Sequence, residues 1–215
     1  MRLFIVFCAL FGPTLAALGF DSSKYQTNQS INCMKNQGYQ FYASRVYHSY
    51  GAADTEGIKY VKWAIQSGFK RVDAFFFPCA HNGCPTPANQ VQTCSSALNA
   101  AGVSLHTLWV DIEPLSWSTN PNTNRNFIIA ITQNLDAARI NWGIYTNREF
   151  WKQIVGVDWD YYKNKPLWWT RFNWAADFTT NWENFGGWTK PEIHQYQQNI
   201  TGPCGFIFDP DYLIL

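Results

Sequence analysis

Leu105-His-Thr-Leu-Trp-Val-Asp-Ile-Glu-Pro114 is an apolar run that ends in two carboxylates and is stopped by a proline. Its apolar and aromatic content predicts a strand over Leu105 to Glu113. Residues i and i+2 of a strand share a face, so Trp109, Asp111 and Glu113 point the same way, with the two acidic Cα atoms roughly 6–7 Å apart. Two carboxylates on one surface suit glycoside hydrolysis. One group must hold a proton for the leaving oxygen while the other stays ionised beside the developing positive charge. Burial raises one pKa, and hydrogen bonds or solvent keep the other low. The acid-x-acid triplet recurs at Asp158/Asp160 and Asp209/Asp211. Only the first follows a buried-type strand and precedes a proline stop.

Working outward, strand and helix signals alternate without a linker, a repeat or a low-complexity block. Strand-like runs fall at Gly19–Ser23, Phe41–His48, Arg71–Phe77, Leu105–Glu113, Trp142–Thr146 and Leu167–Phe172. Helical spacing covers Asn28–Gln37, Thr55–Ser67, Asn89–Ala101, Asn122–Arg139 and Arg148–Val155. Ile193–Gln197 and Gly205–Asp209 read as strands with little helix between them. Repeated βα units imply a parallel sheet, and about eight strands wrapped by helices imply a barrel. Such barrels gather function at the carboxyl ends of their strands. Here those ends carry Asp21, Tyr47, Asp111 with Glu113, Tyr145, Gln195 with Tyr196, and Asp209. A rim of acids and tyrosines is more than packing demands.

Met1-Arg2, the apolar run Leu3–Gly12 and the small residues before Leu18 read as a signal peptide over 1–17, cut after Ala16 or Ala17. A single domain over 18–215 is expected, secreted or delivered to a lysosomal or phagosomal lumen. No stretch is long and apolar enough for a membrane span. Without Cys8, five cysteines remain: Cys33, Cys79, Cys84, Cys94 and Cys204. An oxidising compartment favours disulfides over a zinc cluster of Cys79, His81, Cys84 and Cys94, and the histidines show no metal-ligand spacing. Asn28-Gln-Ser30 and Asn199-Ile-Thr201 are glycosylation sequons. A formal net charge of +1 without a basic run argues against nucleic acid as a partner. Aromatics make up 18% of the chain, including 11 Trp, so a minority is expected to line a groove where sugar rings stack. No cofactor is implied, because acid/base hydrolysis needs none.

Six motifs in order carry a resemblance over Gly19 to Leu213. They are Gly19-Phe-Asp-Ser-Ser23, Trp109-Val-Asp-Ile-Glu113, Gly143-Ile-Tyr-Thr146, Leu167-Trp-Trp-Thr-Arg171, His194-Gln-Tyr196 and Phe208-Asp-Pro-Asp211. Together they resemble family 25 glycoside hydrolases, lysozymes that cleave peptidoglycan after N-acetylmuramic acid. Val72-Asp-Ala-Phe-Phe-Phe-Pro-Cys79 looks like the secreted eukaryotic type. The resemblance implies an irregular, flattened TIM-like β/α barrel with few helices near its C-terminal strands. It implies Glu113 as acid/base, Asp111 as the carboxylate that orients the substrate's acetamido group, and Asp21 and Asp209 as outer acids. Tyr47, Tyr145, Trp169, Gln195 and Tyr196 are the expected groove residues. A monomer acting on bacterial cell-wall peptidoglycan is expected.

Two positions depart from that family: Phe75 stands where a tyrosine is common, and His194 where a tryptophan is frequent. They keep open a carbohydrate-binding protein on the same fold that grips peptidoglycan or chitin without cutting it. A chitinase is a weaker third reading. Because first and last elements meet when a barrel closes, Cys33–Cys204 is the expected long-range bridge, with one more among Cys79, Cys84 and Cys94.

Overall fold

The computed structural model describes residues 16–215. The expected signal segment and Cys8 lie outside these residues, except for Ala16 and Ala17, which open the first strand. In chain order the elements are β1 (Ala16–Ser22), α1 (Asn28–Asn36), β2 (Phe41–His48), β3 (Ala52–Ala53), α2 (Thr55–Gln66), β4 (Arg71–Phe76), α3 (Pro87–Ala100) and β5 (Leu108–Asp111). Then come α4 (Pro121–Ala137), β6 (Trp142–Thr146), α5 (Arg148–Ile154), β7 (Leu167–Thr170), β8 (Ile193–Gln195), β9 (Ile200–Thr201) and β10 (Ile207–Ile214). Seven strands run parallel in the order β1, β2, β4, β5, β6, β7, β8, and β10 closes the barrel between β8 and β1. Among the described residues no helix follows α5. The expected irregular barrel, bare of helices near its C-terminal strands, is the fold observed.

Short polar side chains start every helix. Thr27, Asp54, Thr86, Asn120 and Asn147 each accept a hydrogen bond from a first-turn N–H, replacing the missing intrahelical partner. The helix starts expected at Asn89 and Asn122 move back to Pro87 and Pro121. Proline suits the first helical turn, where its absent N–H would have been unpaired anyway.

One expectation is corrected: β10 is antiparallel to both its neighbours, and Asp209 sits in its first half. The chain returns after β8 through a hairpin, Ile200–Thr201 against Ile207–Phe208, and has no crossover helix to make it parallel. Asp209 still reaches the same rim, because the start of an antiparallel strand lies beside the ends of its neighbours.

Two apolar layers hold the barrel. The outer one lies between the sheet and its helices. The inner one fills the barrel with Phe41, Ala43, Trp109, Tyr145, Trp168, Ile193 and Leu213. Trp168 meets Trp109 and Tyr145 edge to face, with ring centroids 5.7 and 5.2 Å apart. Gly143 makes room for this: a Cβ there would collide with the Trp109 indole. Below the aromatics, Asp73 accepts from Arg71 Nη2 at 2.8 Å and Trp109 Nε1 at 2.7 Å, and Arg71 Nη1 reaches Glu192 at 2.8 Å. That network fixes the Trp109 indole inside the barrel, against Trp168.

Candidate active site

At the carboxyl ends of the strands a cavity of about 120 Å³ is walled by Asp21, Asp111, Glu113 and Asp209, by Tyr145 and Gln195, and by Phe75, Phe77 and Trp168, with Ser23 and Arg45 at its side. All four expected acids therefore meet in one place. Asp111 ends β5. Glu113 lies just beyond, on a segment tied to β6 by the Ile112 N–H to Tyr145 O bond (2.9 Å) and the Thr146 Oγ1 bond to Ile112 O (2.7 Å). Strand periodicity thus continues past the last ladder residue and keeps both carboxyls on the cavity side.

A polar relay orients Asp21. Tyr145 Oη and Thr170 Oγ1 donate to Gln195 Oε1 at 2.7 and 3.0 Å. With its oxygen occupied twice, the Gln195 amide presents Nε2 to Asp21 Oδ2 at 2.6 Å. Asp209 Oδ1 accepts the Asn199 N–H at 2.6 Å. A fifth acid, Asp211, is fully buried beneath Asp21 and accepts from Trp168 Nε1 at 2.9 Å.

Crowded acids in a dry site cannot all ionise. Burial, followed by the mutual repulsion of neighbouring carboxyls, holds Asp21, Asp111 and Asp211 well above the usual carboxylate range. Burial also raises Glu113 and Asp209. Asp111 and Glu113 are near enough to act on each other, and the pair is pushed toward holding a proton. Asp111 Oδ1 is buried and meets no donor. Arg45 is the nearby cation that favours ionised Asp111, and Asp54 holds it at 2.9 Å.

Tyr145 and Gln195 stand in the cavity as expected, but three groove residues do not. Tyr47 lies outside the barrel, stacked on Phe76 at 4.5 Å. Arg45 keeps the parity of inward-facing Phe41 and Ala43 and lines the cavity, and a register shift between Arg45 and Tyr47 then breaks the alternation and turns Tyr47 out. Trp169 also faces outward, stacked on His194 at 4.0 Å, and its neighbour Trp168 faces in. Tyr196 follows inward-facing Gln195 and turns away, its ring 6.2 Å from His194. His194 is likewise in the outer layer, so its departure from the family does not touch the cavity; Phe75 does line it.

Sequence reading missed Arg45, Phe77, Trp168 and Asp211. No signal in the sequence separates Trp168 from Trp169; register places Trp168 inward, in line with Tyr145 and Asp111. The Cys33–Cys204 bridge joins α1 to the β9–β10 turn, with Cα atoms 5.8 Å apart. Cys79–Cys84 is the second bridge, and buried Cys94 is free, its thiol pushed up to about 12 by burial. Cys79, His81 and Cys84 lie close enough for a metal site, but both sulfurs are in the disulfide. The sequon asparagines Asn28 and Asn199 are both exposed.

Against known proteins, a family model described as lysozyme-like protein 1 matches residues 13–196. Lysozyme-like protein 5 of Caenorhabditis elegans is 38% identical, over 99% of this chain and 100% of that one. A probable GH family 25 lysozyme of Dictyostelium discoideum is 33% identical, over 99% and 97%. The chain belongs to the lysozyme-like proteins of glycoside hydrolase family 25. The fold of this family 25 protein also matches a family GH25 lysozyme from Aspergillus fumigatus, with a TM-score of 0.71 at 18% identity over 93% of this chain and 94% of that one.

Proposed function

We propose that this family 25 protein is a lysozyme that hydrolyses the β-1,4 bond between N-acetylmuramic acid and N-acetylglucosamine in bacterial peptidoglycan. The observation that carries the reading is the Asp111–Glu113 pair, two neighbouring carboxyls facing one cavity, both raised chiefly by burial. A substrate acetamido N–H needs an acceptor, and Asp111 Oδ1, buried without a donor, supplies it. Accepting that bond favours ionised Asp111, and the charge on Asp111 in turn favours the protonated form of Glu113 that the leaving oxygen needs. Glu113 then protonates the glycosidic oxygen. The acetamido oxygen attacks the anomeric carbon, and ionised Asp111 stabilises the positive charge on the nitrogen. Water, deprotonated by Glu113, opens the cyclic intermediate with net retention.

Loss of turbidity of a bacterial cell-wall suspension is the direct test. Soluble muropeptides with new reducing muramic ends are the expected product. Phe75, a cavity wall without a hydroxyl, supports the second reading, a protein that binds the glycan without cutting it. An unchanged suspension that nonetheless removes the protein from solution would select it. For the mechanism, NMR of the first-formed product should show the retained anomer. An inverted product, or a glycosyl adduct on Asp111, would rule the acetamido route out.

Secretion or delivery to a digestive lumen belongs to the same proposal, for antibacterial defence or digestion. It is supported by the charged and apolar start of the sequence and by two disulfides, which persist in oxidising compartments.

A further inference from the structure

A second cavity, of about 540 Å³, opens on the same rim between the β6–α5 turn and the long segment after β7. No acid of the first cavity lines it. Its walls include Asn147, Arg148, Trp169, Arg171, Asn181 and Glu183. The two cavities share the end of β7: Thr170 lines this one, and its hydroxyl donates to Gln195 in the other.

The walls are charged and braced. Arg148 Nε is buried without a hydrogen-bond partner, 3.4 Å from a Glu183 oxygen, and its Nη1 donates to Glu149 at 3.3 Å. Arg171 is exposed, lines the cavity and forms no ion pair among the described residues. Its loop is tied down. The two ring nitrogens of His194 lie 2.9 Å from Arg171 O and 2.5 Å from Asp177 O. Asn173 Nδ2 donates to Thr180 O at 2.7 Å, and the Ala175 N–H donates to Asn173 Oδ1 at 3.0 Å. A loop held this firmly pre-positions the groups it carries.

A glycan backbone offers hydroxyls and amides but few full charges, so it does not explain two guanidiniums and two glutamates, Glu149 and Glu183, facing one cavity. The peptide borne by each muramic acid does, since it carries free carboxylates and an amine. We propose that this cavity binds that peptide, with a carboxylate on Arg171 and its amine toward Glu149 and Glu183, the pair that already holds Arg148. Guanidinium forks match carboxylates in geometry as well as charge. The proposal rests on peptidoglycan being the ligand and makes the peptide part of what the protein recognises.

The test uses intact bacterial sacculi and the same sacculi stripped of peptide by an amidase. Binding is measured by co-sedimentation of the wild type, of Glu113→Gln and of Arg171→Ala. Wild type and Glu113→Gln should bind intact sacculi about tenfold more tightly than stripped ones, the size expected of one charge-assisted contact. Arg171→Ala should bind both kinds at the stripped-sacculus level. Equal binding of both sacculi by the wild type, or equal loss on both by Arg171→Ala, overturns the proposal. Cleavage by the wild type, followed in parallel, reports on the lysozyme reading separately. Peptide-dependent binding without cleavage keeps the peptide site and removes the enzyme, and peptide-independent cleavage does the reverse.

Discussion

Asp21 and Asp209 stand directly opposite each other on antiparallel β1 and β10, at the seam that closes the barrel. Like charges at opposed positions of a sheet destabilise it, and here Asp209 helps raise the pKa of Asp21. A seam built on repulsion spends stability to gather acids around a cavity, which is the arrangement of a site and not of a core.

The acid cluster sets how stability depends on pH. Asp21, Asp111, Asp211, Glu113 and Asp209 all have folded pKa values raised above the ordinary range, chiefly by burial. The folded state therefore holds more protons than the unfolded one between about pH 4, where free carboxyls titrate, and the raised values. Stability should be full below that window and fall as pH rises through it. Thermal unfolding from pH 4 to pH 8 checks the sign. Asp21→Asn and Asp111→Asn should each flatten the slope, and a midpoint that rises with pH would contradict the assignment.

Glu113→Gln should fold normally and lose roughly two to four orders of magnitude in cell-wall lysis, because an amide cannot carry the proton. Asp111→Asn should also be severe, through loss of the charge beside the cationic intermediate. Matching circular dichroism with near-normal turnover in the glutamine variant would mean that another group is the acid.

Tyr145→Phe removes one of the two hydroxyls that fix the Gln195 amide. Losing that bond should lower kcat/KM about five- to tenfold, in line with about 1 kcal/mol for one neutral hydrogen bond. Burial holds the Tyr145 hydroxyl well above its ordinary pKa, so it stays a donor across the working range. The loss should accordingly be the same at every pH, and a Tyr145→Phe effect confined to high pH would point to a titrating role instead.

Replacing Cys33 and Cys204 by alanine opens a link across 171 residues. A loss of about 2–5 kcal/mol in denaturant unfolding is expected. Breaking Cys79–Cys84, which spans a separation of 5, should cost much less. Non-reduced peptide mapping should recover both pairs and leave Cys94 as a thiol.

Local chemistry made much of this protein legible in one dimension. Apolar runs, helix-starting Thr, Asp and Asn residues and the i, i+2 spacing of Asp111 and Glu113 determine the strands, the helices and the face those two acids share. Each depends on a neighbour a few residues away. The tertiary structure decided which side of a strand faces the cavity. An irregularity in β2 after Arg45 sends Tyr47 out, and one step of parity separates outward Trp169 from inward Trp168. The adjacent tryptophans are equally apolar, so composition cannot choose between them; only hydrogen-bond register with β6 and β8 does. The direction of β10 was settled the same way, by a hairpin whose pairing exists only once the chain has folded back on itself.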